Sequence, residues 1–131
     1  MHQTQLPEGW KRPKGYANGV SARGRQIHVA GMIGWDGDET FHSDDFAAQA
    51  RQTLRNTVDV LAAGGARPEH IVRMTWYVTD KREYLAALPE VGRAFREIIG
   101  NYSIAMAAVQ VAALMEDRAK IEIETTAVIP D

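Results

Sequence analysis

An α+β fold, with two helices on one face of a mixed sheet, follows from three features of this 131-residue chain. Short runs alternate apolar and polar residues, the mark of half-buried strands. Two longer runs repeat apolar residues every three to four positions, the mark of helices. The runs follow one another in the order β-β-α-β-α-β-β, which suggests a helical layer against one sheet face.

The lead-in comes first. Leu6-Pro7-Glu8-Gly9-Trp10-Lys11-Arg12-Pro13-Lys14-Gly15 is punctuated by Pro and Gly too often for a regular element, so residues 1–14 read as irregular. A first strand is expected near Tyr16 to Ser21, with Arg23-Gly24-Arg25 as a hairpin turn into a second. There Ile27, Val29, Gly31 and Ile33 alternate with His28, Ala30 and Met32. Gly34-Trp35-Asp36-Gly37-Asp38 is turn material. Ser43 or Asp44 then caps a helix in which Phe46, Ala50, Leu54, Thr57, Val58 and Leu61 recur at helical spacing, up to Gly64-Gly65.

Pro68-Glu69-His70 turns the chain into a strand over Ile71 to Thr79, with Val72, Met74, Trp76 and Val78 on one face and Arg73, Thr75 and Tyr77 on the other. Asp80 caps a second helix through Tyr84, Leu88, Val91, Phe95 and Ile98, closed by Gly100. Two strands finish the chain. Ala105, Ala107, Val109 and Val111 alternate with Met106, Ala108 and Gln110, and Ile121 and Ile123 with Glu122 and Glu124. The polar connector from Ala112 to Ala119 suits a simple link between them. Apolar residues on both faces of several strands predict that a second subunit covers the open side of the sheet.

Composition narrows the function classes. The length fits one domain over residues 1–131, with no repeat or linker. Cysteine is absent, which removes disulfides, thiolate chemistry and thiolate metal sites. A formal net charge of -2 argues against a nucleic-acid surface built on phosphate neutralisation. No run approaches a membrane span and no signal-like segment opens the chain, so a soluble, cytoplasmic protein is expected. His28, His42 and His70 lack metal-ligand spacing, so no metal is expected. Gly64-Gly65 and Gly31-Met32-Ile33-Gly34 lack the spacing of a phosphate loop.

The chemical candidates are few. Glu122 and Glu124 leave one face of the last strand, either as solvated carboxylates or as groups placed in a cleft to move protons. Met106 is either an adaptable packing residue or the wall of an apolar pocket. Trp35 is a loop anchor or a pocket wall. Tyr16 and Gln110 divide between structural hydrogen bonding and ligand contact.

Taken in order, Tyr16 with Gly19-Val20, Val29-Ala30-Gly31-Met32-Ile33, the helix bearing Gln49, Thr53, Leu54, Asn56 and Leu61, Met74-Thr75-Trp76-Tyr77-Val78-Thr79-Asp80, and Val109-Gln110-Val111-Ala112-Ala113-Leu114 with Ile121-Glu122-Ile123-Glu124 resemble successive landmarks of the RidA (YjgF/YER057c/UK114-type) family. The resemblance covers roughly residues 15 to 129. It implies a chorismate-mutase-like fold, a homotrimer, and clefts between subunits that hold small organic ligands without metal or cofactor. Family members that hydrolyse enamines and imines grip the substrate carboxylate with an arginine, where this chain has Met106. Glu122 matches their water-handling glutamate and Tyr16 their cleft tyrosine. Ala30 stands where a serine is common beside Gly31, Gly34-Trp35 where proline usually follows isoleucine, and Leu88-Pro89 near a frequent asparagine.

The resemblance therefore points to an enamine/imine hydrolase of deaminase type with altered substrate preference. Glu122 is its acid/base, and Tyr16, Ala30, Gly31, Trp35, Met106 and Gln110 border the substrate. Arg12, Lys14 or Arg118 could replace the missing guanidinium. The alternative is a non-catalytic small-molecule sensor or partner-binding protein on the same fold. A ribonuclease role, sometimes attached to this family, fits poorly with the acidic balance.

Overall fold

The computed structural model describes residues 2–131. In chain order its elements are β1 (Gln3–Gln5), β2 (Gly19–Ser21), β3 (Arg25–Ile33), α1 (Phe46–Ala63), β4 (Ile71–Val78), α2 (Lys81–Ala86), α3 (Leu88–Ile98), β5 (Ala105–Gln110) and β6 (Ile121–Ile129), with a single 3-10 turn at Pro68–His70. The main sheet has the order β3-β6-β4-β5. The last strand runs antiparallel to both of its neighbours, and β4 and β5 are parallel. The helices pack on one face, as expected.

Three expectations about connections change. The first two strands form no hairpin: β2 pairs with Gln3–Gln5 of the lead-in, and β3 pairs with β6. β2 is short and half-exposed, whereas Ile121, Ile123 and Ala127 of β6 are fully buried and need neighbours on both sides. Gly24 marks the boundary. It has φ 143°, and the Ile129 carbonyl occupies the space a side chain would need.

The two C-terminal strands are also not neighbours, because β4 lies between them. Their connector passes over the end of β4, where Val111 N donates to Val78 O and Thr79 N to Lys120 O. Finally, the second helix is broken at Ala87 into α2 and α3. Pro89 has no N–H for the Leu85 carbonyl and its ring crowds that group, so one continuous helix cannot form.

α1 behaves as its spacing predicts, with Phe46, Ala50, Leu54, Thr57 and Leu61 buried along one stripe. Its cap is Asp45, not Ser43 or Asp44. The Asp45 carboxylate accepts from Ala48 N, while Ser43 Oγ accepts from Asp45 N. The other end closes with Ala66 N donating to Leu61 O and Gly65 N to Ala62 O, a Schellman turn that Gly65 permits at φ 83°.

Gln49, 1% exposed, is the main polar link between layers. Its amide nitrogen donates to Ser43 O and Arg118 O, and its oxygen accepts from Lys120 N. Gly34 lies against it, since a Cβ there would approach the Gln49 Cβ to 2.7 Å.

The open face of the sheet differs from the apolar surface expected. By strand register it carries Arg73, Thr75 and Tyr77 beside Glu122, Glu124 and Thr126, with Ala105, Ala107 and Val109 toward the β5 edge. Among the described residues no helix is long and apolar enough to cross a membrane.

Candidate functional site

Two separate places hold the candidate residues. The first is the β3 margin of the open face, where β3 bulges between Val29 and Met32 and leaves both Ala30 and Gly31 exposed. Glu122 lies across this bulge. A Cβ built on Gly31 would come within 2.7 Å of the Glu122 carboxyl carbon, so only glycine leaves room for the carboxylate there. Glu122 also sits opposite Tyr77 in the β4–β6 register. The Tyr77 hydroxyl donates to Glu124 Oε1 at 2.6 Å. That hydrogen bond to a carboxylate holds the Tyr77 pKa above its ordinary value, with smaller contributions from burial and from the charges of Glu124 and Glu122. Several acidic and phenolic groups thus share one field at this margin.

The second place is a cavity of about 830 Å³, open to solvent on one side, between the lead-in, α3 and β5. Ala17 fixes the lead-in, bridging to Ala105 and donating its N–H to the Ile104 carbonyl at 2.8 Å. Tyr16, 46% exposed, and Met106 line this cavity together. Met106 pairs with Met74 and packs against the core, so it is both a packing residue and a cavity wall. Tyr84 is another wall residue, and burial raises its hydroxyl pKa.

Of the wall residues that sequence reasoning missed, three bear on the chemistry. Trp76 reads as core by its alternation and is 2% exposed, yet its ring borders the cavity and its Nε1 has no hydrogen-bond partner among the described residues. Tyr84 and Arg96 read as helix residues, and both line the cavity. The one signal for Arg96 was its spacing, a helical turn beyond Gly92.

The structure thus joins Tyr16 with Met106, and Glu122 with Gly31 and Ala30, on opposite faces of the same sheet. Gln110 and Trp35 do not line the cavity. The Gln110 side-chain oxygen accepts from Lys81 N at 2.7 Å, at the start of α2. Trp35 packs against Phe41 with ring centroids 5.7 Å apart, and its carbonyl accepts from Asn56 Nδ2.

The same loop holds Asp36, whose carboxylate accepts from His42 Nε2 and from the amides of Asp38 and Thr40. Chiefly the His42 contact lowers its pKa. Arg118 lies here too, bonded to Asp44 with its guanidinium 5.3 Å from the Phe41 ring centre. It does not line the cavity. Among the described residues no cluster of three or more His, Asp and Glu could hold a metal.

Comparison with known proteins places the fold in a family. The endoribonuclease L-PSP family model matches residues 10–129. A 2-iminobutanoate/2-iminopropanoate deaminase of Salmonella typhimurium is 33% identical over 113 residues, covering 86% of each chain. A Rid-family protein of unknown function, YyfB of Yersinia pestis, is 30% identical with a TM-score of 0.85 over 98% of both chains. TdcF of Escherichia coli, whose crystal structure holds bound serine, is 30% identical with a TM-score of 0.71 over 97% of this chain and 96% of its own. Sequence and fold agree, and the chain belongs to the endoribonuclease L-PSP family, that of the YjgF/RidA proteins.

Proposed function

We propose that this protein is a cofactor-independent enamine/imine hydrolase of the deaminase type, working in clefts between the copies of a homotrimer. The observation that carries the reading is the split of the site. Glu122, Gly31 and Ala30 lie at one margin of the sheet, and Tyr16 and Met106 border a cavity at the other edge. Packing the β3 margin of one copy on the β5 edge of the next brings the carboxylate to the cavity, and three such contacts close a ring.

The chemistry needs only a proton-moving group and a water. Glu122 takes a proton from water as its oxygen bonds to the imine carbon, and the proton passes to nitrogen. The hydroxyl proton of the resulting carbinolamine then passes by way of Glu122 to nitrogen, and the carbon–nitrogen bond breaks as the carbonyl forms. Ammonia leaves, and a carbonyl compound remains. An enamine first accepts a proton at carbon to become the imine. Ala30 and Met106 leave the cleft less polar than a site with a serine and an arginine in those positions, which strengthens the pull of Glu122 on its water.

Met106 also supports a second reading, a sensor that binds a small molecule without turning it over. The test is an assay with 2-iminopropanoate and 2-iminobutanoate generated in situ. Losing a buried charged contact to a carboxylate costs about 2–5 kcal/mol, so wild-type protein turns these small acids over slowly. Met106→Arg raises their kcat/KM at least tenfold. Wild-type rates equal to those of arginine-bearing relatives contradict the role assigned to Met106, and turnover of no imine by either form favours the sensor.

A further inference from the structure

We propose that the anion anchor has moved from position 106 to Arg12, Lys14 and Arg96, and that the cavity takes carboxylates with large aromatic side chains, such as aromatic 2-imino and 2-oxo acids. This rests on the reading above only in treating the cavity as the substrate-binding half of the cleft.

Charge is the first argument. Arg12, Lys14 and Arg96 all line the cavity, and no Asp or Glu does. None of the three cations is in an ion pair among the described residues. Three unpaired cations around a wall free of carboxylates attract an anion, although each alone is exposed and contributes little.

Arg96 is also placed. Its Nη1 lies 3.3 Å from where a Gly92 Cβ would stand, so the guanidinium folds back over Gly92 along the cavity side of α3. A glycine inside a helix is costly, and here its missing side chain makes the space that Arg96 uses.

The second argument is the unpartnered donor. Trp76 Nε1 is buried without an acceptor, and buried polar groups almost always have one. Trp76 is a wall residue, so a ligand that shifts the wall enough to open Nε1 supplies the acceptor. The third argument is wall chemistry. Tyr16, Tyr84, Phe95 and Met106 offer faces on which a planar ring stacks. Met106 then serves as an apolar wall for that ring, in the place where an arginine would draw the carboxylate inward.

The test is titration calorimetry on the intact protein with phenylpyruvate, 2-oxobutanoate and inorganic phosphate, which needs no turnover. Phenylpyruvate should bind at least tenfold more tightly than either of the others. The triple variant Arg12→Gln/Lys14→Gln/Arg96→Gln should weaken it at least tenfold, and Trp76→Phe, which keeps a ring and removes the donor, several-fold. Gly92→Ala should raise the melting temperature through helix propensity while weakening phenylpyruvate, a pair of opposite signs that a purely structural glycine would not give. Equal affinity for phenylpyruvate and 2-oxobutanoate, phosphate binding as tight as phenylpyruvate, or indifference to the triple variant overturns the proposal. Selective binding without turnover of the matching imine leaves this proposal standing and removes the hydrolase reading. Turnover of small imines without aromatic selectivity does the reverse.

Discussion

Glu122→Gln lowers turnover of a good imine substrate by about 100-fold or more, while ligand affinity stays within a few-fold of wild type. The amide matches the carboxylate in shape, so it still fits across Gly31, where there is no room for a larger group. What it loses is the ability to take a proton from water. The assay follows ammonia release from imino acids generated by an amino-acid oxidase, with calorimetry on the 2-oxo acid product as the binding control. A parallel loss of affinity and rate would mean that Glu122 holds the ligand, and an unchanged rate would pass the proton-moving role to another group, with Tyr77 the nearest candidate.

Gln49→Ala destabilises the fold by about 3 kcal/mol or more. The residue makes three hydrogen bonds from a site that is 1% exposed. Removing it strands the Ser43 and Arg118 carbonyls and the Lys120 amide, and each unmet buried group costs roughly 1–3 kcal/mol. Some of that cost is recovered if water enters. Urea unfolding at matched protein concentration measures the change, because any association of subunits makes apparent stability concentration-dependent. A loss under about 1 kcal/mol would show that the connector before β6 does not depend on this side chain.

Much of the architecture was legible because it is local. α1 announced itself through apolar residues at helical spacing, and Gly64-Gly65 through its closing turn. Only the cap slipped, from Ser43 or Asp44 to Asp45, because any of three adjacent capping residues fits a sequence pattern while only one has its carboxylate at the Ala48 amide. The helix break was written in Pro89, but periodicity ran through it and hid the kink. Strand order was illegible because pairing is non-local. Nothing in Ile121 to Ile129 says that this strand inserts between β3 and β4; its burial on both flanks emerges only when the sheet is assembled.

The site was legible in halves. Glu122 and Met106 stood out through family resemblance, and the residues alone left each open between a surface or packing role and a functional one. Met106 turns out to fill both of its alternatives at once. Alternation alone put Gly31 with the inward positions of its strand and the family resemblance put it beside the substrate; the bulge leaves it exposed next to Glu122. Arg96 and Trp76 escaped notice because a helix cation usually faces solvent and an alternating strand tryptophan usually fills the core. Arg118 was named as a replacement anchor, but its pairing with Asp44 and its place over Phe41 hold it away from the cavity.

The central claim is that Glu122 of one copy serves the cavity of another, and mixing two disabled variants tests it most directly. One carries Glu122→Gln with an intact cavity; the other keeps Glu122 and carries Arg12→Gln/Arg96→Gln with Tyr16→Phe. Each alone is nearly inactive on an imine substrate. Unfolded together and refolded as mixed assemblies, they regain a substantial fraction of wild-type turnover, because some clefts then combine an intact Glu122 with an intact cavity. If the mixture stays at the level of the two separate variants although mixed assemblies form, the carboxylate and the cavity do not meet across subunits.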